Sequence, residues 1–277
     1  MPKFYFVTGS YSSTTASGNR LWSMLKVLSE MKIETEVVYF ESDAQRSEAP
    51  HLEHIHFNYY WKKLNIKNPK LQILAYMYIY SKMFLRKLKS GDIVYTYGCN
   101  ELLCHLVEKR GVKVYHERTE HPEVSRLKLL NMPKYLAACR KVEKLFVISR
   151  NLKDYFSNMG VNPEKIKIIN MTVDCSRFVG LVKNPKERYV AYCGKATNNK
   201  DGVNNLIRAF YYVSKRHPEV KLYIIGTSPK KNDESGNKRL VEELKLIGKV
   251  IFTGLISYDQ MPQILKNAEV LTLARPS

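Results

Sequence analysis

RYVAYCGKATNNKDGVNNLIRAFYYVSKRHPEVKLYIIG, residues 188–226, decides the fold. It opens on a short apolar run (188–194) and closes on another (220–226). Between them, 201–218 carries Val203, Leu206, Ile207, Phe210 and Val213 at helical spacing. Strand, loop, helix, strand is the unit of a parallel sheet with crossover helices. The loop holds Gly194, Lys195, Lys200 and Gly202 at the strand's carboxyl end, where ligands gather in such sheets. The glycines allow close backbone approach, the helix N-terminus faces the loop, and the lysines add positive charge. Together these suit a diphosphate. The spacing GxxxxGK[ST] is absent, so this is not a P-loop.

The same grammar extends both ways. Toward the C-terminus, strands are expected at 249–254 and 269–274 and helices at 237–247 and 257–268. Gly226-Thr227 and Gly254 through Tyr258 follow strands and suit the edges of a nucleoside pocket. Toward the N-terminus, 173–187 reads as a linker. Ahead of it lies a second series: strands at 4–9, 35–40, 92–98, 112–117, 144–149 and 165–170. Its helices are expected after Ser17, at 71–88, near 100–109, within 124–141 and from a Ser149 cap to Gly160. Leu21, Met24, Leu25 and Leu28 form the inward face of the first. Residues 42–70 read as polar, basic and irregular. The organisation is therefore α/β in two domains, 1–172 and 188–277.

Two further loops of the first domain invite chemistry. Residues 9–18 are rich in small and hydroxyl side chains and end on Ser17-Gly18; they lack GxGxxG, which disfavours a dinucleotide-dependent dehydrogenase. His116-Glu117-Arg118-Thr119-Glu120-His121 follows a strand, and six polar groups in a row suit an open cleft that reads hydroxyls or acids. A metal reading of His116, Glu120 and His121 matches no ligand spacing, and no Asp-x-Asp occurs. No metal site is expected.

There are 45 Lys and Arg against 26 Asp and Glu, a formal charge of +19, which favours an anionic partner. Between His51 and Ser90 lie eight basic residues and one Glu, interleaved with Phe57, Tyr59, Tyr60, Trp61, Tyr76, Tyr78, Tyr80 and Phe84. That composition suits an anionic membrane surface or a lipid-linked substrate. Packing of Leu71, Leu74, Met77, Tyr78, Phe84 and Leu85 against the first domain is the equal alternative, and nucleic-acid stacking the lesser one. Five cysteines without a CxxC pair read as buried free thiols in a reducing cytosol. No apolar stretch is long enough to span a bilayer. The chain is expected to be cytoplasmic and peripheral on the inner face of the membrane.

CGKATNNKDGVNNLIRAF, KLYIIG at 221–226, VIFTGLISYDQMPQILKNAEVLTLARPS at 250–277 and FVISRNLKDYFSNMGVNPEKIKIINMTVDCSRF at 146–178 resemble the retaining GT-B glycosyltransferases of family 4, the glycosyl transferases group 1. The resemblance implies two Rossmann-like domains facing a cleft. It also implies sugar transfer from a nucleoside-diphosphate sugar to a hydroxyl of a glycan or lipid-linked acceptor, in cell-envelope or capsular polysaccharide synthesis. It puts Lys200 on the donor diphosphate and Lys195 where an arginine is more usual. Ser17 and Gly18 would lie near the phosphates, and His116, Glu117, Arg118 and Glu120 near the reacting sugar and acceptor. Gly194, Gly202, Gly226, Thr227, Gly254 and Tyr258 would border the donor. No cofactor or metal is implied, and no nucleic acid is expected. The family carries a Glu-x7-Glu element after the strand at 269–274. The sequence stops at Ser277, so an incomplete second domain with weak turnover is expected. A non-catalytic partner subunit and a nucleic-acid-binding protein are the alternatives.

Overall fold

A computed structural model of the chain describes residues 2–8, 16–39, 51–59, 78–79, 81–98, 100–122, 132–172, 175–228 and 230–275. The chain divides into two compact units, 1–173 and 174–277.

The first unit is built on seven parallel strands: β1 (Phe4–Thr8), β2 (Thr35–Tyr39), β3 (Ile55–Tyr59), β4 (Ile93–Tyr97), β5 (Lys113–Arg118), β6 (Lys144–Val147) and β7 (Ile166–Ile168). Their order is β3-β2-β1-β4-β5-β6-β7, so the direction of winding reverses between β1 and β4. Helices cover both faces, and the central strands are accordingly apolar on both. Tyr5, Val7, Val94, Val114, Leu145 and Val147 enter one core with Phe84, Leu103, Tyr135 and Phe156. Their neighbours Phe6, Val37 and Tyr95 enter the opposite core with Leu21 and Leu25; Tyr115 and Phe146 pack against it. Period-two alternation thus assigns every strand residue to a face. Across the second face the rings of Phe6, Tyr95, Phe146 and Tyr115 stack in sequence, with centroids 5.0, 5.7 and 6.3 Å apart.

The second unit has four parallel strands, β8 (Tyr189–Cys193), β9 (Lys221–Ile225), β10 (Val250–Gly254) and β11 (Val270–Leu271), in the order β10-β9-β8-β11. Tyr192, Leu222 and Ile224 pack on one side with Val203, Ile207, Phe210 and Leu240. Tyr189, Ala191 and Ile225 pack on the other, against Met261, Ile264 and Leu265. Winding reverses between β8 and β11.

Several expectations change. Ile55–Tyr59, within a stretch read as irregular, is an edge strand paired to β2. Exposed His56 alternates with inward Ile55 and Phe57, the pattern of a strand with one wet face, but the run is short and lies in a polar segment. The helix expected at 201–218 is broken by Gly202 into Asn198–Asp201 and Val203–Arg216. Val213 is 39% exposed and Ser214 is buried in its place. The helix expected at 237–247 spans Lys231–Glu243. The strand expected at 269–274 keeps only Val270 and Leu271 in ladder pairing, although Thr272 N–H still donates to Ala191 O at 2.8 Å. The segment read as a linker packs on the second unit: Asn184 N–H donates to Asn267 Oδ1, and Glu187 accepts from the Tyr223 hydroxyl. Of the expected helix at 71–88, residues 78–79 and 81–87 are helical and Leu88 lies just past the end; 71–77 and 80 lie outside the described residues. Tyr78, one of the residues weighed for inward packing, is exposed. Among the thiols, Cys139 is buried, Cys104 half-buried, and Cys175 and Cys193 exposed. Cys99 lies outside the described residues. Among the described residues no helix is long and apolar enough to cross a membrane.

Candidate functional site

In doubly wound sheets the crevice for a ligand lies at the carboxyl ends of the strands, where the winding reverses. Each unit has one such place.

In the first unit it lies beyond β1 and β4. Arg20, on the helix Ala16–Glu30 that follows β1, reaches Glu117 at the end of β5. Nε donates to Glu117 Oε1 at 2.6 Å, with both side chains 1% exposed. The Tyr95 hydroxyl donates to the other carboxylate oxygen. Arg20 Nη1 donates to Asn170 O at 3.0 Å and lies 3.4 Å from Thr172 Oγ1. Burial and the Glu117 charge raise the Tyr95 phenol well above its ordinary value, so it stays a donor.

This network corrects two expectations. Glu117 does not project toward a sugar: it is the buried counter-ion of Arg20. His116 lies on the opposite face, fully buried. Its Nδ1 sits 2.7 Å from Thr96 Oγ1 and its Nε2 2.9 Å from the Tyr135 hydroxyl, so both ring nitrogens are engaged. Burial, then the Arg118 charge, pushes it down to about 3. A run of polar residues on a strand alternates faces like any other, and here both faces are covered. Arg118 is buried and donates from Nε to Glu120 O at 2.8 Å, while Glu120 is exposed. Gly18 is buried in the first turn of its helix. Ser17 falls inside that helix rather than ahead of it, and residues 9–15 lie outside the described ones. Among the described residues no group of three His, Cys, Asp or Glu is placed to hold a metal.

In the second unit the strand ends bring three expected glycines together. Gly194 N–H donates to Ile225 O at 3.0 Å, and Gly226 N–H to Gly254 O at 2.8 Å. Gly226 has φ +110°, and a Cβ there would run into the Gly194 carbonyl oxygen; a Cβ on Gly194 would meet the Tyr192 hydroxyl. Only glycine fits. Beside them Lys195, Lys200 and Thr227 are exposed. Lys200 rides on the turn Asn198–Asp201, which Gly202 ends at φ +66°. Asp201 is buried and accepts from the Thr197 hydroxyl at 3.2 Å.

Three backbone N–H groups around the start of the long helix are taken from within the protein. Asn204 N–H is taken by Asn198 Oδ1 at 3.1 Å, Val203 N–H by Thr197 O at 3.4 Å and Asn198 N–H by Asp233 Oδ2 at 3.1 Å. Asn198 caps the helix from within the loop, and the exposed Lys195 and Lys200 side chains are the positive charge this loop offers an anion. Tyr258 is covered on one ring face by the Arg177 guanidinium, 3.3 Å from the centroid, and its carbonyl accepts from Arg177 Nη2.

Residues 177–275 match the family model described as Glycosyl transferases group 1. That span takes in nearly all of the second unit. No curated protein sequence matches the chain. Among solved structures, Anabaena Alr3699/HepE, determined with UDP and glucose, superposes with a TM-score of 0.69 at 14% identity. The match covers 99% of this chain and 74% of that one. The lipopolysaccharide outer core galactosyltransferase WaaB matches at 0.62 and 19%, covering 99% and 74%. WaaG, a glycosyltransferase of lipopolysaccharide biosynthesis, matches at 0.66 and 12%, covering 98% and 75%. At these identities the likeness establishes the fold, the Rossmann-like GT-B fold. The family match and the fold together support a glycosyltransferase.

Sequence reading found the residues around this domain's strand ends, because glycines and lysines after strands are visible in one dimension. It missed Arg20, Arg177, Asp201 and Arg275, whose partners are 97, 81 and 74 positions away for the three arginines.

Proposed function

We propose that the protein is a retaining glycosyltransferase of family 4, moving a sugar from a nucleoside-diphosphate sugar to a hydroxyl of a glycan or lipid-linked acceptor. The observation that carries this is the Gly194–Gly202 loop. Its two lysines are exposed at the carboxyl end of β8, beside the Gly194, Gly226 and Gly254 contacts, inside the matched domain.

The difficult charge in such a transfer develops on the departing diphosphate. Lys195 and Lys200 stabilise it as the glycosidic bond breaks. The N–H groups of Asn198, Val203 and Asn204 are engaged within the protein, so the lysine side chains supply the charge. The close-packed glycines keep the strand ends low enough for the donor to approach. Gly202 sets the Lys200 turn, and Thr227 and the 254–258 segment border the nucleoside. The leaving phosphate accepts the acceptor's proton, so the scheme needs no protein base and no divalent cation. Glu117 and His116 hold β5 in place inside the first unit, and we assign acceptor contacts to Arg118, Glu120, Ser17 and Gly18 of that unit.

UDP is the first donor nucleotide to try, since HepE is described with UDP and with UDP-glucose. Cell-envelope or capsular polysaccharide is the acceptor context favoured by the lipopolysaccharide enzymes among the structural relatives. Contact with an anionic membrane surface fits the helical residues 78–79 and 81–87. Tyr78, Ile79 and Met83 are exposed there among Lys82, Arg86 and Lys87.

The test is a donor screen. UDP- and GDP-sugars are incubated with the protein and a set of lipid-linked and oligosaccharide acceptors. Nucleoside diphosphate release is followed, and the anomeric configuration of product is read by NMR. Acceptor-dependent release with retention supports the proposal. Binding to oligonucleotides with no response to any nucleotide sugar contradicts it.

A further inference from the structure

The lysines of the 194–202 loop are point charges, and a diphosphate is better gripped by a planar fork. The fold brings one to the loop from the other side of the winding reversal. Beyond β11 the chain stays aligned with β8, since Thr272 N–H donates to Ala191 O. Three residues later the Nε of Arg275 lies 3.7 Å from Asp201 Oδ1, at the base of the Lys200 turn. We propose that Arg275 is a third cation of the donor site, parked on Asp201 and free to fork onto the diphosphate. This rests on the nucleoside-diphosphate reading above.

Three observations carry it. First, the contact is loose. The Arg275 side chain is 59% exposed, and its approach is through Nε at 3.7 Å. A pair this exposed adds little to stability, so holding the fold together does not explain it. Second, Asp201 does not depend on Arg275. Its other oxygen accepts from the Thr197 hydroxyl, and its side chain is only 10% exposed. Third, a further donor stands ready beneath. The Tyr192 hydroxyl is buried under Gly194 and faces Asp201 without a hydrogen bond of good geometry. Burial first, and then the negative charge of Asp201, raise its titration point. When Arg275 turns to a phosphate, Asp201 keeps Thr197 and has the Tyr192 hydroxyl close at hand.

The probes are UDP and uridine, bound to the full chain and followed by calorimetry and ligand-observed NMR, with GDP and guanosine run in parallel. Arg275→Gln and Arg275→Lys are compared with the natural residue. The expected result is UDP binding weakened about 10- to 100-fold by Arg275→Gln, uridine binding and the ligand-free thermal midpoint unchanged, and only partial recovery with Arg275→Lys. Arg275→Gln that binds UDP as well as the natural protein overturns the proposal and leaves the donor reading standing. So does a variant that loses UDP and uridine together with thermal stability, which makes Arg275 a structural residue. A natural protein that binds neither UDP nor GDP removes the donor reading itself.

Discussion

Replacing Glu117 with Ala removes one half of a pair whose side chains are both 1% exposed. At 2.6 Å and an effective dielectric near 20, the attraction is roughly 6 kcal/mol, offset by several kcal/mol for dehydrating each ion. The intact pair is therefore near break-even. The variant is not: the Arg20 guanidinium stays buried with only Asn170 O and Thr172 Oγ1, and the Tyr95 hydroxyl loses its acceptor. The expected cost is about 3–5 kcal/mol, or roughly 6–20 °C in the midpoint of a unit of this size. Calorimetry on the full chain separates this transition from that of the second unit, which should not move. The double variant Arg20→Met/Glu117→Leu removes both charges and should recover most of the loss, because like-sized apolar replacements of a buried pair are often neutral. Glu117→Ala costing under 1 kcal/mol while abolishing turnover would refute the reasoning. Glu117 would then act on substrate rather than as a counter-ion.

Further outcomes follow from the same geometry. His116 is held neutral with its folded value near 3, below the ordinary 6.5, so the unfolded chain takes up the proton first as pH falls. Stability therefore declines from about pH 6.5 toward 3, with a slope of up to about 1.4 kcal/mol per pH unit. Urea midpoints against pH should show that contribution vanish in His116→Asn. Gly226→Ala forces a Cβ into the Gly194 carbonyl at a φ of +110°, at a cost of roughly 1–3 kcal/mol; UDP binding by calorimetry should fall with it. Lys200→Ala should raise the barrier by about 2–4 kcal/mol, roughly 30- to 1,000-fold in kcat, with an unchanged thermal midpoint. Asn198→Ala removes the cap on Asn204 N–H and should cost about 1 kcal/mol in urea unfolding of the second unit.

What sequence can show and what it cannot are divided by distance along the chain. The short apolar run through Tyr5, Phe6 and Val7 and the helical spacing of Val203, Ile207 and Phe210 are local, and they correctly place a strand and a helix. Gly194, Gly226 and Gly254 were legible as turn glycines, but their mutual contacts needed three strands to pair in register. The 116–121 run misled for a physical reason. Polar side chains were read as solvent-seeking, whereas Glu117 found Arg20 and His116 found Thr96 and Tyr135 inside the protein. Strand β3 was missed because an edge strand has a wet side, and Glu34 engages both His54 and His56 on it. Arg275 carried no local signal: its partner Asp201 comes near only when β11 lies down beside β8.

The central claim is that a nucleoside diphosphate sits at the strand ends of the second unit. Amide hydrogen–deuterium exchange on the full chain, with and without saturating UDP and GDP, locates the ligand directly. The account predicts protection concentrated in 194–202, 226–228 and 254–258. Protection centred instead on the basic stretch 78–89, or none with either nucleotide, would contradict it.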